Sequence, residues 1–222
     1  MIDFNYNNIR SYDSVLVLGG GPSLTSSMNL IQDFIKKENP VILSANYEHK
    51  NINIDFIHFV TSSKFSEAYN QKIKTKNIIL RDKISYLSNE NIGYSYYKIG
   101  NNKSESGAYK IKKIEISNNG DFNYFNLGNA GFSTIVISAI FKPKKIFMVG
   151  FDGPFSDYSK KLTYKNEIKY YNKSFTEKNG VLKKKYFNNV IIPFLLSKNI
   201  KIYSSKKDKL WGISRDNIYY YG

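Results

Sequence analysis

Short apolar runs alternate along the chain with stretches of helical spacing. Ser14-Val15-Leu16-Val17-Leu18 is nearly all apolar and stops at Gly19-Gly20-Gly21-Pro22-Ser23, the pattern of a strand buried on both faces and closed by a tight turn. Leu24, Met28, Ile31 and Ile35 follow at three- and four-residue spacing, which predicts a helix whose first turn Ser23 can cap. Val41-Ile42-Leu43-Ser44-Ala45 predicts a second strand, with Asn46 at its end. A strand, a helix and a strand joined this closely imply a parallel pair with a right-handed crossover.

Further strands are predicted at Phe56–Val60 and Ile78–Leu80, with a polar helix over Ser66–Lys74 between them. From Asp82 to Asn126, Asn, Ser, Gly and Tyr dominate without a sustained period, so the pattern predicts an irregular insertion over 82–126. Asn129-Ala130-Gly131-Phe132-Ser133-Thr134 leads into an apolar helix, Ile135–Phe141, closed by Pro143. Lys145-Ile146-Phe147-Met148-Val149 is another buried strand, ending at Gly150-Phe151-Asp152-Gly153. A Lys-, Tyr- and Asn-rich segment, a helix near Leu182–Ser197 that Pro193 bends or starts, and a strand at Ile200–Tyr203 complete the pattern. There is no internal repeat and no linker long enough to divide the chain. The expectation is one α/β domain over 1–222, Rossmann-like, with a mainly parallel sheet and helices on both faces.

Composition narrows the chemistry. The 222 residues contain no cysteine and 2 histidines, which excludes disulfides, thiolate nucleophiles and thiolate metal sites and makes a multi-histidine centre implausible. No apolar run reaches the roughly 18 residues of a membrane span. Met1-Ile2-Asp3-Phe4-Asn5 lacks the basic start and apolar stretch of a signal peptide, so a cytoplasmic location is expected. The formal charge of +15 is uneven: residues 1–141 carry 15 Lys and Arg against 12 Asp and Glu, net +3, and residues 142–222 carry 18 against 6, net +12. Such a surplus is either a solvated lysine face or a surface for an anionic partner, such as the inner face of a membrane or a lipid-linked glycan. Only Arg10, Arg81 and Arg215 offer the arginine fork, which disfavours sequence-specific nucleic-acid readout.

In an open parallel sheet, ligands bind beyond the carboxyl ends of the strands, so the residues just after each strand are the informative ones. The turn Gly19-Gly20-Gly21-Pro22-Ser23 lets backbone approach a ligand, and the helix behind it offers amides to a phosphate. It is neither a P-loop nor a complete dinucleotide fingerprint, and a sharp strand-to-helix corner is its structural alternative. Asn46 stands where dinucleotide-binding folds place a ribose-binding acid, and its amide can both donate and accept; it is equally a turn former. Asp152, between Gly150 and Gly153, is placed to take a proton from an acceptor hydroxyl or to hold a divalent metal, its alternative being a turn carboxylate that caps local amides. Tyr164, with Glu167, Tyr170 and Tyr171, lies in the Lys- and Tyr-rich segment, where phenols offer hydrogen bonds to phosphate oxygens or sugar hydroxyls, or where the cluster forms a basic aromatic surface.

Val15–Leu24, Ser44-Ala45-Asn46 and the segment from Asn129 to Phe155 resemble the bacterial sialyltransferases of glycosyltransferase family 42 and their relatives in surface-polysaccharide loci. The Gly-x-Gly-Pro-Ser-Leu block is shared with an archaeal-type pterin pyrophosphokinase group. The resemblance implies that Gly21, Pro22 and Ser23 lie against a CMP-sugar donor and that Asn46 contacts its phosphate or sugar. It further implies that Gly131, Phe132 and Ser133, with Asn129 before them, enclose the cytidine, and that transfer inverts the anomeric carbon without an obligatory metal. The family's general-base histidine lies before its last helix, whereas this chain has no histidine after His58. His49 and His58 therefore read as structural, and Asp152 as the replacement base. The expected function is transfer of an acidic, nonulosonic-type sugar from a CMP-activated donor to a surface-glycan acceptor, with no cofactor required. The alternatives are a catalytically silent nucleotide- or glycan-binding module and a pyrophosphokinase-like phosphoryl transferase.

Overall fold

Both faces of each central strand are apolar, and the fold follows from covering both. The structure, a computed structural model, describes residues 2–3, 10–70, 73–75, 77–81, 95–99, 130–152, 181–206 and 217–221. Its strands are β1 (Ile2–Asp3), β2 (Ser14–Leu18), β3 (Val41–Ala45), β4 (Phe56–Phe59), β5 (Asn77–Arg81), β6 (Ser95–Ile99), β7 (Lys145–Val149), β8 (Lys201–Ser204) and β9 (Ile218–Tyr220). They form one nine-stranded sheet in the order β1-β6-β5-β4-β3-β2-β7-β8-β9. Every pairing among these strands is parallel. The α/β class with a parallel sheet is as the alternation of strands and helices predicts.

The helices are α1 (Ser23–Ser26), α2 (Met28–Glu38), α3 (Ser62–Asn70), α4 (Ala130–Ser138) with a 3-10 turn at Ala139–Phe141, and α5 (Ile192–Ser197). Residues 181–186 are helical and join α5 through a π-helical stretch, Phe187–Ile191. On one face, Val15, Val17, Val41, Leu43, Ile146, Met148 and Ile202 pack against α4, the π-helical stretch and α5. On the other, Leu16, Leu18, Ile42, Phe147 and Val149 pack against Leu24, Ile31 and Phe34 of α1 and α2. Alternate residues of each strand thus enter opposite cores, which is why these strands read as continuous apolar runs.

Several expected elements are corrected. The helix after the glycine turn is two helices, because Ser27 (φ −106°, ψ 12°) leaves helical geometry and its hydroxyl bonds that of Ser205 at 2.7 Å beyond β8. The polar helix begins at Ser62 rather than Ser66. The apolar helix begins at Ala130 rather than Ile135, so Gly131, Phe132 and Ser133 lie on its first turns. The expected irregular insertion contains β6, which pairs with β5 and β1; its polar and aromatic residues gave no apolar run to read. Strands β1 and β9, too short to read as runs, extend the sheet at its two edges. Pro193 lies inside the continuous helical run 181–197, two residues after the π-helical stretch Phe187–Ile191, which widens the helix where proline cannot donate its i−4 hydrogen bond.

Candidate functional site

Strand β2 sits mid-sheet, with β3 on one side and β7 on the other. The chain proceeds outward from β2 through β3 to β6, then returns to β7 and proceeds the other way, so the gap between the carboxyl ends of β2 and β7 is a topological switch point. The glycine turn leaves β2 there and Gly150-Phe151-Asp152 leaves β7 there, with Leu18 and Val149 paired as the last step of the ladder.

The two exits remain joined past the strands. Gly19 donates its amide to the Val149 carbonyl at 2.8 Å, and Gly21 donates to the Gly150 carbonyl at 2.9 Å. The Ser23 amide donates to Asp152 Oδ2 at 2.9 Å, and the Gly150 amide donates to Ser23 Oγ at 3.2 Å. Leu24 donates to the Gly21 carbonyl at 3.1 Å, and Pro22 has no amide hydrogen. The Gly20 amide has no hydrogen-bond partner among the described residues. Most donors that a phosphate cradle would use are therefore engaged within the protein. Ser23 is not the expected cap: Pro22 holds the N-cap position of α1, and Ser23 lies inside the helix with its hydroxyl turned to β7.

The glycines answer to this closure. A Cβ on Gly19 would lie 2.3 Å from the Gly150 carbonyl oxygen, and Gly150, at φ 86°, would place one 2.8 Å from the Gly19 carbonyl oxygen. Two backbones in mutual contact leave no room for a side chain on either. Asp152 is 4% exposed, with a carboxylate oxygen on the first amide of α1. Its side chain caps an amide, as the turn-carboxylate alternative describes, but that amide, of Ser23, lies 129 residues away rather than nearby.

One strand over, Asn46 adopts φ 68° at the exit of β3, held there by its amide on the His58 carbonyl at 3.0 Å. Its Oδ1 is buried and has no hydrogen-bond partner among the described residues. The β2–β3 ladder ends at Leu18 and Ser44, so the glycine turn and Asn46 leave neighbouring strands at the same edge of the sheet. The loop after Asn46 is pinned by Ser44 Oγ on the Tyr47 carbonyl at 2.6 Å and by Glu48, which accepts from the Thr75 hydroxyl at 2.9 Å.

Both histidines are buried, as expected for structural residues. His49 is 5% exposed with neither ring nitrogen hydrogen-bonded among the described residues, and burial pushes its pKa down to about 4. His58 Nδ1 lies 3.0 Å from Thr134 Oγ1, which donates its own proton to the Ala130 carbonyl at 2.8 Å. Thr134 has one hydroxyl hydrogen, so His58 Nδ1 carries the proton and donates. This chain ties the first turn of α4 to β4. Sequence reading missed it because a buried His and a buried Thr far apart in the chain carry no pattern.

Of the residues expected to enclose a nucleoside, Phe132 is fully buried with its ring 5.1 Å from Phe187, inside the core. Gly131 and Ser133 are buried beside it on α4. Asn129 and Tyr164 lie outside the described residues. Among the described residues, no three His, Asp or Glu side chains are grouped to hold a metal ion, and no helix is long and apolar enough to cross a membrane.

The sheet order defines an open, parallel α/β fold whose strand order reverses between β2 and β7. No family model and no curated protein matches the sequence. Among solved structures, the chain is similar to the MAf glycosyltransferase from Magnetospirillum magneticum AMB-1, with 12% identity and a TM-score of 0.47 over 98% of this chain. It covers 34% of that protein, about a third of its length, so the likeness is a distant one of fold to a bacterial glycosyltransferase.

Proposed function

We propose that the chain is a glycosyltransferase domain that moves an acidic, nonulosonic-type sugar from a CMP-activated donor to a surface-glycan acceptor. The observation that supports a ligand site is Asn46, a left-handed residue at the carboxyl edge of β3 whose buried Oδ1 has no hydrogen-bond partner among the described residues, with the Gly20 amide, also without one among them, on the neighbouring β2 exit. A buried acceptor without a partner costs about 1–3 kcal/mol. Such a cost is retained where a ligand completes the bond, and a donor and an acceptor on adjacent strand exits suit a hydroxyl that does both. The Gly-x-Gly-Pro-Ser-Leu and Ser-Ala-Asn blocks that resemble the sialyltransferases supply these exits and give the donor class.

Asp152 is the base of this reading. Its Oδ2 is engaged by Ser23, so Oδ1 takes the acceptor proton as the glycosidic bond forms and the nucleotide phosphate leaves. Lysines of the C-terminal third neutralise that phosphate and draw the domain to an anionic membrane or lipid-linked acceptor. The reading needs no resident cofactor. A second reading, a silent nucleotide- or glycan-binding module, is favoured by the tie between Asp152 and α1, which gives this carboxylate a structural task.

A thermal-shift panel of CMP, CDP, UDP, GDP, ATP and NAD, followed by transfer and donor-hydrolysis assays with a CMP-activated acidic sugar, tests both. Selective CMP stabilisation with turnover supports the transferase. CMP stabilisation without transfer or hydrolysis across acceptors leaves the silent module, and no nucleotide response removes the transferase and the nucleotide-binding form of the module.

A further inference from the structure

The helical run 181–197 has two unlike faces. Tyr186, Phe187, Ile191, Phe194 and Leu195 are buried in the core over the sheet. Leu182, Lys185, Asn189, Pro193 and Leu196 are exposed. They recur every three or four residues and so form one stripe along the side of the run away from that core. At 1.5 Å per residue the stripe is roughly 20 Å long.

Its content differs from that of an ordinary solvated helix. Val181, Leu182 and Leu196, at 63%, 42% and 41%, are the exposed large aliphatic side chains among the described residues, and all three belong to this one run. A single exposed leucine is ordinary, but their confinement to one element is not. Exposed Lys184 and Lys185 follow the first two, and exposed Lys198 follows the third. These three lysines form no ion pair among the described residues. Residues 181–206 contain six lysines and no Asp or Glu. Helix α2, on the other face of the sheet, is the contrast: Asp33, Lys36 and Lys37 mix both signs on its exposed side, which carries no large aliphatic side chain.

We infer that this stripe is a membrane-docking surface that lies flat on an anionic bilayer, with Val181, Leu182 and Leu196 at the acyl boundary and Lys184, Lys185 and Lys198 on the lipid phosphates. The inference names the surface behind the membrane recruitment in the proposed function and rests on that part of the reading, not on the nucleotide. Charge and apolarity together select the occupant. A nucleic acid or soluble polyanion would pair with the lysines and leave the leucines in water, and its phosphates favour arginine, which the run lacks. An apolar protein partner would have to bury three unpaired ammonium groups. A bilayer surface takes both kinds of side chain, because lysine stems lie along the apolar zone while their ammonium groups reach the headgroups. The buried face holds the run to the core, and no helix among the described residues is long and apolar enough to cross a membrane, so the stripe lies in the interface.

The test is co-sedimentation of the full chain with vesicles of phosphatidylcholine alone and of phosphatidylcholine mixed with phosphatidylglycerol. One variant combines Lys184→Gln, Lys185→Gln and Lys198→Gln, and a second combines Leu182→Ser and Leu196→Ser. A third combines Lys36→Gln, Lys37→Gln and Lys50→Gln, which removes the same charge from α2 and the loop after β3. All of these side chains are exposed, and thermal melting confirms that each variant folds. Binding to the mixed vesicles should fall about 10-fold or more in the first variant, since each lysine at the surface contributes roughly 5-fold. It should fall about 5-fold or more in the second and stay within about 2-fold of wild type in the third. An equal loss in the two lysine variants would make binding a matter of net charge and overturn the inference. Unchanged binding in the leucine variant would also overturn it, leaving a purely electrostatic contact with a polyanion. A wild type that binds neither vesicle overturns it together with membrane recruitment, whereas CMP stabilisation and turnover, measured without vesicles, decide the transferase reading separately.

Discussion

A side chain on Gly21 would begin 2.1 Å from Oδ2 of Asp152 and 2.8 Å from the Gly150 carbonyl oxygen. From the sequence, Gly21 is expected to face a ligand, so that Gly21→Val would reduce nucleotide affinity and leave folding less affected. The contact lies inside the protein, so stability should suffer first. Gly21→Ala should lower unfolding free energy by about 1–3 kcal/mol through overpacking. Urea denaturation measures it, and a variant as stable as wild type would show that the β2 and β7 exits separate freely.

Asp152→Asn and Asp152→Ala divide the two tasks of this carboxylate. Asn retains an acceptor for the Ser23 amide, whereas Ala leaves that buried amide unmet at a cost of about 1–3 kcal/mol. If Asp152 is the base, Asp152→Asn should keep donor binding and lose transfer by about 100-fold or more. Full turnover in folded Asp152→Asn would confine the residue to holding the turn.

His49 makes stability depend on pH. Its folded pKa, about 4, lies below the ordinary value of 6.5, so below pH 6.5 the unfolded state takes up the proton first. The contribution of neutral His49 is fully present above pH 6.5 and is lost as pH falls toward 4, by at most about 3 kcal/mol. Urea titrations of wild type and His49→Leu between pH 7.5 and 4 should show a shallower fall in the variant. Parallel curves would place the proton uptake on other groups.

Thr134→Val should leave the His58 Nδ1 proton without its acceptor and destabilise the fold by about 1–3 kcal/mol. Nitrogen chemical shifts of wild-type His58 should report the Nδ1–H tautomer. An Nε2–H signal would contradict the Ala130–Thr134–His58 chain.

Vesicle sedimentation checks the surplus of +12 in residues 142–222. Binding to anionic vesicles should exceed binding to neutral ones and weaken with added salt, since exposed charges are screened over about 8 Å at physiological ionic strength. Equal, weak binding to both would leave a solvated lysine face.

Local pattern carried the central strands. Residues 14–18, 41–45 and 145–149 are apolar on both faces because both faces are covered, so each is visible as a run without knowledge of its neighbours. The turns after them were legible for the same reason, since glycine and proline restrict the backbone locally. Strands β1, β6 and β9 were not, because short edge-region segments are held by pairing to a strand already in place rather than by their own hydrophobicity. The sequence singled out Gly21, Ser23, Asn46 and Asp152 by their places after strands. That Gly21 and Ser23 meet Asp152, that Asn46 keeps a buried oxygen without a partner, and that His58 donates to Thr134 depended on sheet order. Sheet order is a sum of long-range contacts, and a hydrogen bond between residues 23 and 152 leaves no periodic trace in the chain that makes it.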